Sequence, residues 1–176
     1  MTSNKDERLA DKLLPEIEAF KQQKLTLELA TNDADGKPNV SYAPFAVDEG
    51  GFYILVSDMA RHGMNLKAKD DVSVMLVEDE ASAKTVFARK RLTFDAKAQL
   101  INRDTADFTH GVASLVARFG EMSENLAALA DFNLYRLVPH KGLYVKGFGQ
   151  AFSLTGAELM DLSWQRAGQH GVSQSA

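Results

Sequence analysis

The sequence predicts an α+β fold, mainly β, in which an antiparallel barrel carries helices on its outside. Three observations favour this class. Most links between the predicted strands are short enough for hairpins, and the strands outnumber the helices that could cross between parallel strands. Residues 52–77 read as a strand, a polar turn, a short helix and a second strand. Both of these strands are apolar on both faces, which is typical of a closed or covered sheet.

The first element is an amphipathic helix within residues 1–23, where apolar residues recur at helical spacing. Pro15 predicts a kink in it or a second helix start. Residues 25–31 read as a strand and residues 38–47 as its return strand in a hairpin. Pro44 places the return strand at an edge or a bulge, because proline cannot donate to the sheet. The core face of the first strand carries Leu25, Leu27 and Leu29.

Five polar residues crowd into the turn of the central segment and the helix that this turn opens. They are Ser57, Asp58, Arg61, His62 and Asn65. A serine or aspartate at a helix start caps free N–H groups, and such N–H groups together with an arginine form an anion site. The alternative is that Ser57 or Asp58 only caps the helix while Arg61 is solvated. The spacing alone favours that simpler interpretation.

A long alternating run follows at residues 87–101, with Arg89 and Arg91 on one face and apolar side chains on the other. The face that bears the arginines either meets water or lines a polar pocket. The next predicted helix is capped by Asp104 and ends at Gly120, and a short helix capped by Ser123 comes after it.

Two strands, 132–139 and 142–154, flank a predicted turn at 140–142, and a small helix is expected around Leu159 and Leu162. The domain organisation that we expect is a helical segment at 1–24, a barrel domain at 25–155, and a C-terminal helix and tail at 156–176.

The composition excludes several classes of function. The chain has no cysteine, which removes disulfides, thiolate metal sites and a cysteine nucleophile. Its net charge is -4, with basic residues scattered among acidic ones, which argues against nucleic-acid binding. No secretory signal is visible, and no apolar run reaches the length of a membrane helix. We therefore expect a cytoplasmic protein with no membrane or nucleic-acid partner.

Four histidines remain as candidates for metal or acid–base chemistry, and none has the HExxH spacing of a zinc enzyme. They are His62, His110, His140 and His170. His110, on its helix, and His140, in its predicted turn, are expected to be packed or solvated. His62 shares the polar turn and could contact a bound anion. His170 lies in a polar tail with no core to join, where a histidine usually has no function.

Asp131 stands at a helix-to-strand junction, just before the strand at 132–139. An acidic side chain at such a junction commonly faces solvent at the end of the element. The alternative is that Asp131 accepts a hydrogen bond from the Nδ1–H of a histidine that ligates a metal, which fixes the tautomer of that ring.

Four segments together resemble the haem-utilisation proteins of the HugZ/HutZ type, within the superfamily of pyridoxamine 5'-phosphate oxidase-like, FMN-binding split barrels. The segments are LATNDADGKPNVSYAPF, SDMARHGMNLKAKDDVSVMLVEDE, FARKRLTFDAKAQLI and LYRLVPHKGLYVKGFGQAF. FARKRLTFDA and GLYVKGFGQA are similar to the haem branch, whereas the strand, turn and RHxxNL element is shared with the flavin branch.

The resemblance implies a homodimer of six-stranded antiparallel split β-barrels with haem bound near the subunit interface. It implies that His170 holds the haem iron, that Asp131 of the partner subunit hydrogen-bonds this histidine, and that Arg91 lies in the haem pocket. His62 matches a second histidine of the family. The implied activity is that of a haem oxygenase-like oxidoreductase, which opens haem to a biliverdin-type product and releases iron with electrons from an unidentified donor.

Two other functions stay open. The protein could be an FMN-binding oxidoreductase of the same superfamily, or a non-catalytic haem carrier. In the first case the FMN phosphate would lie against the polar turn, with Arg91 beside it. The residues that we expect to contact the bound group are His170, His62, Arg61, Ser57 and Asn65, whereas Arg91 and Asp131 are the candidate catalytic residues.

Overall fold

A computed structural model describes residues 4–156, 159 and 161–165 of the chain. The elements are α1 (Asn4–Gln23), β1 (Thr26–Asn32), β2 (Pro38–Pro44), β3 (Ala46–Asp48), β4 (Gly51–Ser57), α2 (Arg61–Ala68), β5 (Asp71–Val77), β6 (Arg91–Ile101), α3 (Ala106–Phe119), α4 (Glu121–Ala128), β7 (Phe132–Gly147), β8 (Gln150–Thr155) and β9 (Asp161–Gln165). A single 3₁₀ turn at Val86–Ala88 precedes β6.

All nine of these strands form one sheet in which every pairing is antiparallel. The order is β2-β1-β5-β6-β7-β4-β3, and β8 lies between β7 and β9. The length of β7, 16 residues, allows its first half to pair with β4 and its second half with β8. The predicted class, α+β and mainly β with an antiparallel sheet and outer helices, is confirmed.

The inner face of the sheet packs into one apolar core, and α1 packs against the same core. Inward-facing residues of β1, β4, β5, β6, β7 and β8 meet there. The predicted N-terminal helix runs through Pro15 without ending, and its core face is buried in the same cluster. That face carries Leu13, Ile17 and Phe20. Removal of this apolar area from water is the main stabilising contribution of α1.

A second, smaller core lies on the outer face of β4, where α3 packs. Tyr53 of β4, Leu134 of β7 and Leu115 of α3 are buried there. The prediction that β4 is apolar on both faces because both are covered is therefore confirmed. The same prediction was wrong for β5, in which Val72, Val74 and Leu76 are buried but the other face is only partly covered.

The C-terminal half differs from the prediction because β7 is one continuous strand. His140 was predicted to lie in a turn, but it lies inside β7 at a bulge, opposite the step from Asp95 to Ala96. The chain reverses further on, at Gly149, whose positive φ suits a tight turn. The predicted helix around Leu162 was also wrong, because Asp161–Gln165 is strand β9 and pairs with β8.

Several smaller boundaries also differ. β2 is an edge strand, as Pro44 predicted, but the return strand breaks into β2 and β3. The sequence pattern predicts seven strands, and this break together with β9 gives the nine that the sheet has, whereas the resemblance implied six. Leu25 is exposed and lies before β1. Thr105, rather than Asp104, caps α3 by accepting a hydrogen bond from Phe108 N. Ser123 lies inside α4, which begins directly after Gly120.

No helix among the described residues is long and apolar enough to span a membrane.

Candidate functional site

Ser57 lies at the end of β4 and contacts Asp131 rather than capping α2. Its Oγ donates a hydrogen bond to Oδ2 of Asp131 over 2.7 Å and accepts one from Met59 N over 3.1 Å. A backbone hydrogen bond joins the same two segments, since Asp58 N donates to the carbonyl oxygen of Asp131 over 2.7 Å. The N-cap of α2 is Ala60, with no side-chain cap. In the simpler interpretation, the cap by Ser57 or Asp58 was therefore wrong, whereas the solvated Arg61 agrees with the structure.

Asp58 is fixed by two other partners. Its Oδ1 accepts a hydrogen bond from Asn133 Nδ2 over 2.7 Å, and its Oδ2 pairs with Lys67 Nζ at 2.6 Å. Arg61 is exposed at the first position of α2. The start of α2 therefore presents a solvated guanidinium beside backbone N–H groups that carry no side-chain cap, an arrangement that attracts anions.

His62 is half-buried, and its Nδ1 contacts the hydroxyl of Ser41. Nδ1 lies 2.9 Å from Ser41 Oγ, and this hydroxyl donates to Leu29 O over 3.4 Å. The direction of the His62–Ser41 hydrogen bond depends on the tautomer of the ring; in the Nδ1–H tautomer Ser41 Oγ accepts and Nε2 keeps its lone pair. Burial lowers the pKa of His62 below its ordinary value of 6.5. At neutral pH the ring is a neutral imidazole whose Nε2 can accept a proton or ligate a metal.

Asn65 is buried and its side chain connects α2 to β1. Its Nδ2 donates to Thr31 Oγ1 over 2.9 Å. Both side chains are buried, so this hydrogen bond satisfies two polar groups that would otherwise destabilise the interior. The structure thus gives Asn65 a role in docking α2, which sets the position of Arg61 and His62.

An apolar cavity of about 590 Å³ opens beside these residues, between β2, β4, α3 and α4. Ser57 and His62 lie at its edge. Its walls are mostly apolar and include Pro44, Leu55, Leu115, Phe119, Met122, Leu126 and Phe132. A large apolar cavity with a few polar groups at one side is typical of a site for a cofactor or a small molecule.

Arg91 lies at a different cavity, of about 360 Å³, between the start of β6 and the β7–β8 hairpin. Its Nη1 donates to Arg89 O over 3.2 Å, and its side chain is half-buried. Phe87 and Phe148 also line this cavity and are exposed. The strand that carries Arg91 begins at that residue, four positions later than the alternating pattern predicted.

Arg91 and Asp131 lie at opposite ends of the β6–β7 ladder. Arg91 pairs with Val145 at one end, and Ile101 pairs with Leu134 at the other. Since β6 has 11 residues, its ends are roughly 33 Å apart along the strand at about 3.3 Å per residue. Asp131 directly precedes β7, near the Leu134 end. The two cavities share no lining residue.

The other histidines of the sequence lie apart from these cavities or outside the described residues. His110 is mostly exposed, and its Nε2 lies 2.6 Å from Asp48 Oδ2. His140 is exposed in β7. His170 lies outside the described residues, so its predicted role stays a prediction.

Two residues that support this region were missed at the level of sequence. Ser41 contacts His62 across 21 positions of sequence, and only the fold brings them together. Gly63 is buried inside α2, where an added Cβ would clash with the backbone of Ser57. A glycine inside a helical pattern is a known sign of close backbone approach, so this residue could have been found.

A family profile and a sequence relative both identify the family to which the chain belongs. Residues 13–146 match the family profile described as Pyridoxamine 5'-phosphate oxidase. The chain is 48% identical over 169 residues to a protein named Heme oxygenase HutZ from Vibrio cholerae serotype O1, covering 96% of each chain.

Solved structures agree with this likeness. A crystal structure of HutZ, described there as the heme storage protein from Vibrio cholerae, superposes with a TM-score of 0.73 at 52% identity. That match covers 77% of this chain and 95% of the other. Campylobacter jejuni ChuZ superposes with a TM-score of 0.79 at 29% identity, over 94% of this chain and 66% of ChuZ.

Proposed function

The chain belongs to the pyridoxamine 5'-phosphate oxidase family, in its branch of HutZ-type haem-utilisation proteins, and on this basis we propose that it binds haem and degrades it. The reaction is the oxidative opening of the tetrapyrrole by O₂ and electrons from a donor, with a biliverdin-type product and release of iron. The name of the 48% identical relative supports oxygenase activity, whereas the name given to the HutZ crystal structure favours storage. The experiment below separates these two functions.

The single observation that carries the proposal is the apolar cavity edged by His62 and by Ser57, whose hydroxyl bonds the carboxylate of Asp131. Haem is a flat, largely apolar group with two carboxylates and a metal that accepts an imidazole. The described residues fit that chemistry, since the apolar walls suit the macrocycle and Arg61, exposed at the start of α2, is a cation that suits a carboxylate.

Each candidate residue has a distinct task in this proposal. His170 supplies the imidazole that holds the iron, and Asp131 of the partner subunit accepts the Nδ1–H of that ring and fixes its orientation. Arg91 would hold a propionate of the haem or hydrogen-bond a ligand bound to it. His62 is the neutral imidazole at the cavity edge. When bound, haem itself supplies the oxygen chemistry, while the protein orients it and excludes water.

The separation of Arg91 from Asp131 supports a homodimer. A single chain holds the two side chains at opposite ends of the β6–β7 ladder, and the cavity lined by Arg91 has no residue in common with the cavity lined by Ser57, which bonds Asp131. Two-fold pairing can bring the Arg91 end of one subunit to the Asp131 end of the other, since a C₂ interface repeats every contact twice. We propose that two such composite sites form per dimer.

The test is to add one equivalent of hemin to the purified protein, then ascorbate in aerated buffer with catalase present to remove free hydrogen peroxide. We expect the Soret band to decay, an open tetrapyrrole to be identified by mass spectrometry, and iron to become available to a chelator. A Soret band that persists while haem stays bound would overturn the degradation and leave storage. Absence of hemin binding together with tight FMN binding would overturn the haem function itself and favour the flavin alternative.

The assigned iron ligand is tested in the same samples. His170→Ala should change the Soret position and lower haem affinity, whereas His140→Ala, which removes an exposed histidine from β7, serves as the matched control. An unchanged spectrum for His170→Ala would remove His170 as the ligand.

A further inference from the structure

Two phenylalanines are exposed at the cavity between the start of β6 and the β7–β8 hairpin, which we call the Arg91 cavity. Phe87 is 85% exposed and Phe148 is 68% exposed, yet both line this same cavity of about 360 Å³. Single exposed apolar residues are common on protein surfaces, whereas exposed apolar residues that group around one cavity are typical of a binding site. The pair therefore points to a ligand with an apolar surface.

Both phenylalanines lie in short turns whose backbones are held by hydrogen bonds. Phe148 occupies a two-residue turn, because Gly147 and Gln150 pair with each other across the β7–β8 hairpin. Such turns usually carry glycine, asparagine or aspartate, so a phenylalanine there does not serve the turn itself. Phe87 lies in the 3₁₀ turn before β6, where its N–H donates to Thr85 Oγ1 over 3.3 Å. The two aromatic rings are thus presented at defined positions of the backbone.

Arg91 is a cation that no carboxylate neutralises among the residues that the structure describes. Its Nη1 donates to Arg89 O over 3.2 Å, and its side chain is half-buried. Lys90 and Lys146 each pair with Glu16 of α1, at 3.5 Å and 2.6 Å, so that carboxylate is already engaged. The guanidinium of Arg91 therefore keeps N–H donors for an acidic group of a ligand.

An arginine beside two exposed aromatic rings suits a flat, conjugated molecule that bears an acidic group. Guanidinium N–H groups pair with a carboxylate or a phosphate, and aromatic rings pack against a conjugated surface. A tetrapyrrole with carboxylates and FMN with its phosphate both have this chemistry. The tetrapyrrole is favoured, because its edge is largely apolar and the cavity walls are mainly apolar too. These walls include Ala88, Leu143, Val145 and Ala151.

We propose that the Arg91 cavity binds one carboxylate-bearing edge of the tetrapyrrole, with Phe87 and Phe148 packed against the macrocycle and Arg91 on the carboxylate. This inference rests on the proposed function and adds two aromatic contacts to it. Each contact is made to the macrocycle or to its carboxylate, and none is made to iron. The two phenylalanines thus contribute to the affinity for the porphyrin itself, whichever imidazole holds the metal.

The test titrates hemin, metal-free protoporphyrin IX and protoporphyrin IX dimethyl ester into the wild type, Phe87→Ala and Phe148→Ala. Binding is followed by absorbance and by porphyrin fluorescence. Each phenylalanine variant should weaken protoporphyrin binding by roughly 3- to 10-fold, for the acid and for the ester alike, because an aromatic contact is lost. Leu100→Ala is the matched control, since Leu100 is 53% exposed on β6 and lines neither this cavity nor the larger apolar one.

Arg91→Gln tests the contact to the carboxylate. This variant should weaken binding of the free acid by roughly 10-fold, the value of one hydrogen bond between charged groups, and leave binding of the dimethyl ester close to wild type. A general structural effect would weaken both ligands equally, so the ratio of the two affinities reports on the contact itself. Circular dichroism and thermal unfolding check that every variant is folded.

The possible failures are distinguishable. Losses in the two phenylalanine variants no larger than that of Leu100→Ala would refute the inference, as would a wild type that binds hemin but not protoporphyrin IX. In both cases the proposed function stands if the wild type degrades hemin. A wild type that does not bind hemin refutes the proposed function, and the inference with it.

Two parallel measurements separate the tetrapyrrole from other occupants of the Arg91 cavity. FMN is titrated into the same variants, and loss of FMN affinity with unchanged porphyrin affinity would assign the cavity to a flavin. Size-exclusion chromatography compares the oligomeric state of each variant with that of wild type. Dissociation of the phenylalanine variants into smaller species would show that the two rings are a contact between subunits, which would overturn the inference. We expect unchanged elution.

Discussion

The Cα of Gly63 lies so close to the preceding turn that a Cβ at position 63 would stand 2.9 Å from the carbonyl carbon of Ser57 and 3.3 Å from the Cα of Asp58. These are backbone atoms, which cannot move aside as the end of a flexible side chain can. The helix α2 is therefore packed directly on the turn that carries Ser57, and the position of Ser57 depends on the absence of a side chain at residue 63.

We predict that Gly63→Ala destabilises the protein by about 1–3 kcal/mol, the usual range for overpacking, despite the better helix propensity of alanine. The measurement is urea unfolding followed by circular dichroism. Hemin affinity should fall as well, because a displaced α2 moves His62 at the edge of the apolar cavity.

Gly147→Ala is the matched control for that prediction. An added Cβ at Gly147 meets nothing within 4 Å, and its φ is not in the positive region. Its free energy of unfolding should stay within about 0.5 kcal/mol of wild type, as for ordinary surface substitutions. Equal stability of the two alanine variants would contradict the close packing of α2.

A pH-dependent loss of stability should follow from the environment of His62. Burial lowers its pKa below 6.5 in the folded protein, so between that lowered value and 6.5 the unfolded chain binds more protons than the folded one. Stability then rises with pH in this window and is lost as pH falls through it, with a slope of at most about 1.4 kcal/mol per pH unit. Unfolding curves at a series of pH values measure this slope.

The contribution of His62 to this pH dependence is the difference in the free energy of unfolding between wild type and His62→Gln at each pH. The variant cannot titrate at this position, so its stability should fall less steeply on acidification below pH 6.5. The two stabilities plotted against pH should therefore converge toward low pH. Parallel curves would show that His62 titrates normally in the folded protein.

The N-terminal helix is tied to β7 by a polar contact at the edge of the core. Tyr144 is fully buried, and its hydroxyl donates to Glu16 Oε1 over 2.9 Å, while Lys146 Nζ pairs with Glu16 Oε2 at 2.6 Å. Burial and the neighbouring carboxylate raise the pKa of Tyr144, so the hydroxyl remains a donor. Burial opposes the charge of Glu16, but hydrogen bonds from Lys146 and Tyr144 outweigh it and lower the pKa of Glu16.

We predict that Tyr144→Phe lowers the free energy of unfolding by about 1 kcal/mol, the net value of one hydrogen bond. Tyr42→Phe is the matched control, because Tyr42 is 68% exposed on the edge strand β2. Thermal unfolding of both variants gives the comparison. A Tyr144→Phe variant as stable as Tyr42→Phe would show that the contact to Glu16 adds nothing to the docking of α1.

Alternation and turn chemistry predicted much of the fold, and the errors have common causes. The strand, turn, helix and strand at the centre of the chain were predicted correctly because the two-residue period of strands and the 3.6-residue period of helices are both clear there. The continuity of β7 was missed because Lys141 and Gly142 suggest a turn, whereas pairing with β6 on one side keeps the strand extended through the bulge at His140. Local propensity cannot register such a long-range pairing.

The site was predictable only in its residue types. The polar turn predicts a cap or an anion site. In the structure, however, the Ser57 hydroxyl donates a hydrogen bond to Asp131, 74 positions further along the chain. Asn65 reads as a polar contact for a ligand, but its amide is buried against Thr31. Which residues share a cavity is set by the strand register, and a single sequence does not carry this information before the fold is known.

The last prediction concerns the proposed composite site, in which Asp131 of one subunit would accept a hydrogen bond from His170 of the other. Asp131→Ala and His170→Ala chains with different affinity tags are co-expressed, and mixed dimers are isolated by purification on both tags. If the site crosses the interface, each mixed dimer contains one site with both residues intact and one with neither. Hemin titration should then show wild-type affinity for about half of the sites, since two-fold symmetry gives two sites per dimer.

The two parent homodimers are the controls, and neither should contain a site of wild-type affinity. A site formed within one chain would give a different result, because every site of the mixed dimer would then carry one substitution. Mixed dimers that bind hemin no better than their parents would therefore exclude the shared site. Recovery of affinity in the mixed dimer can arise only from a residue donated across the interface, because no single chain in it has both Asp131 and His170.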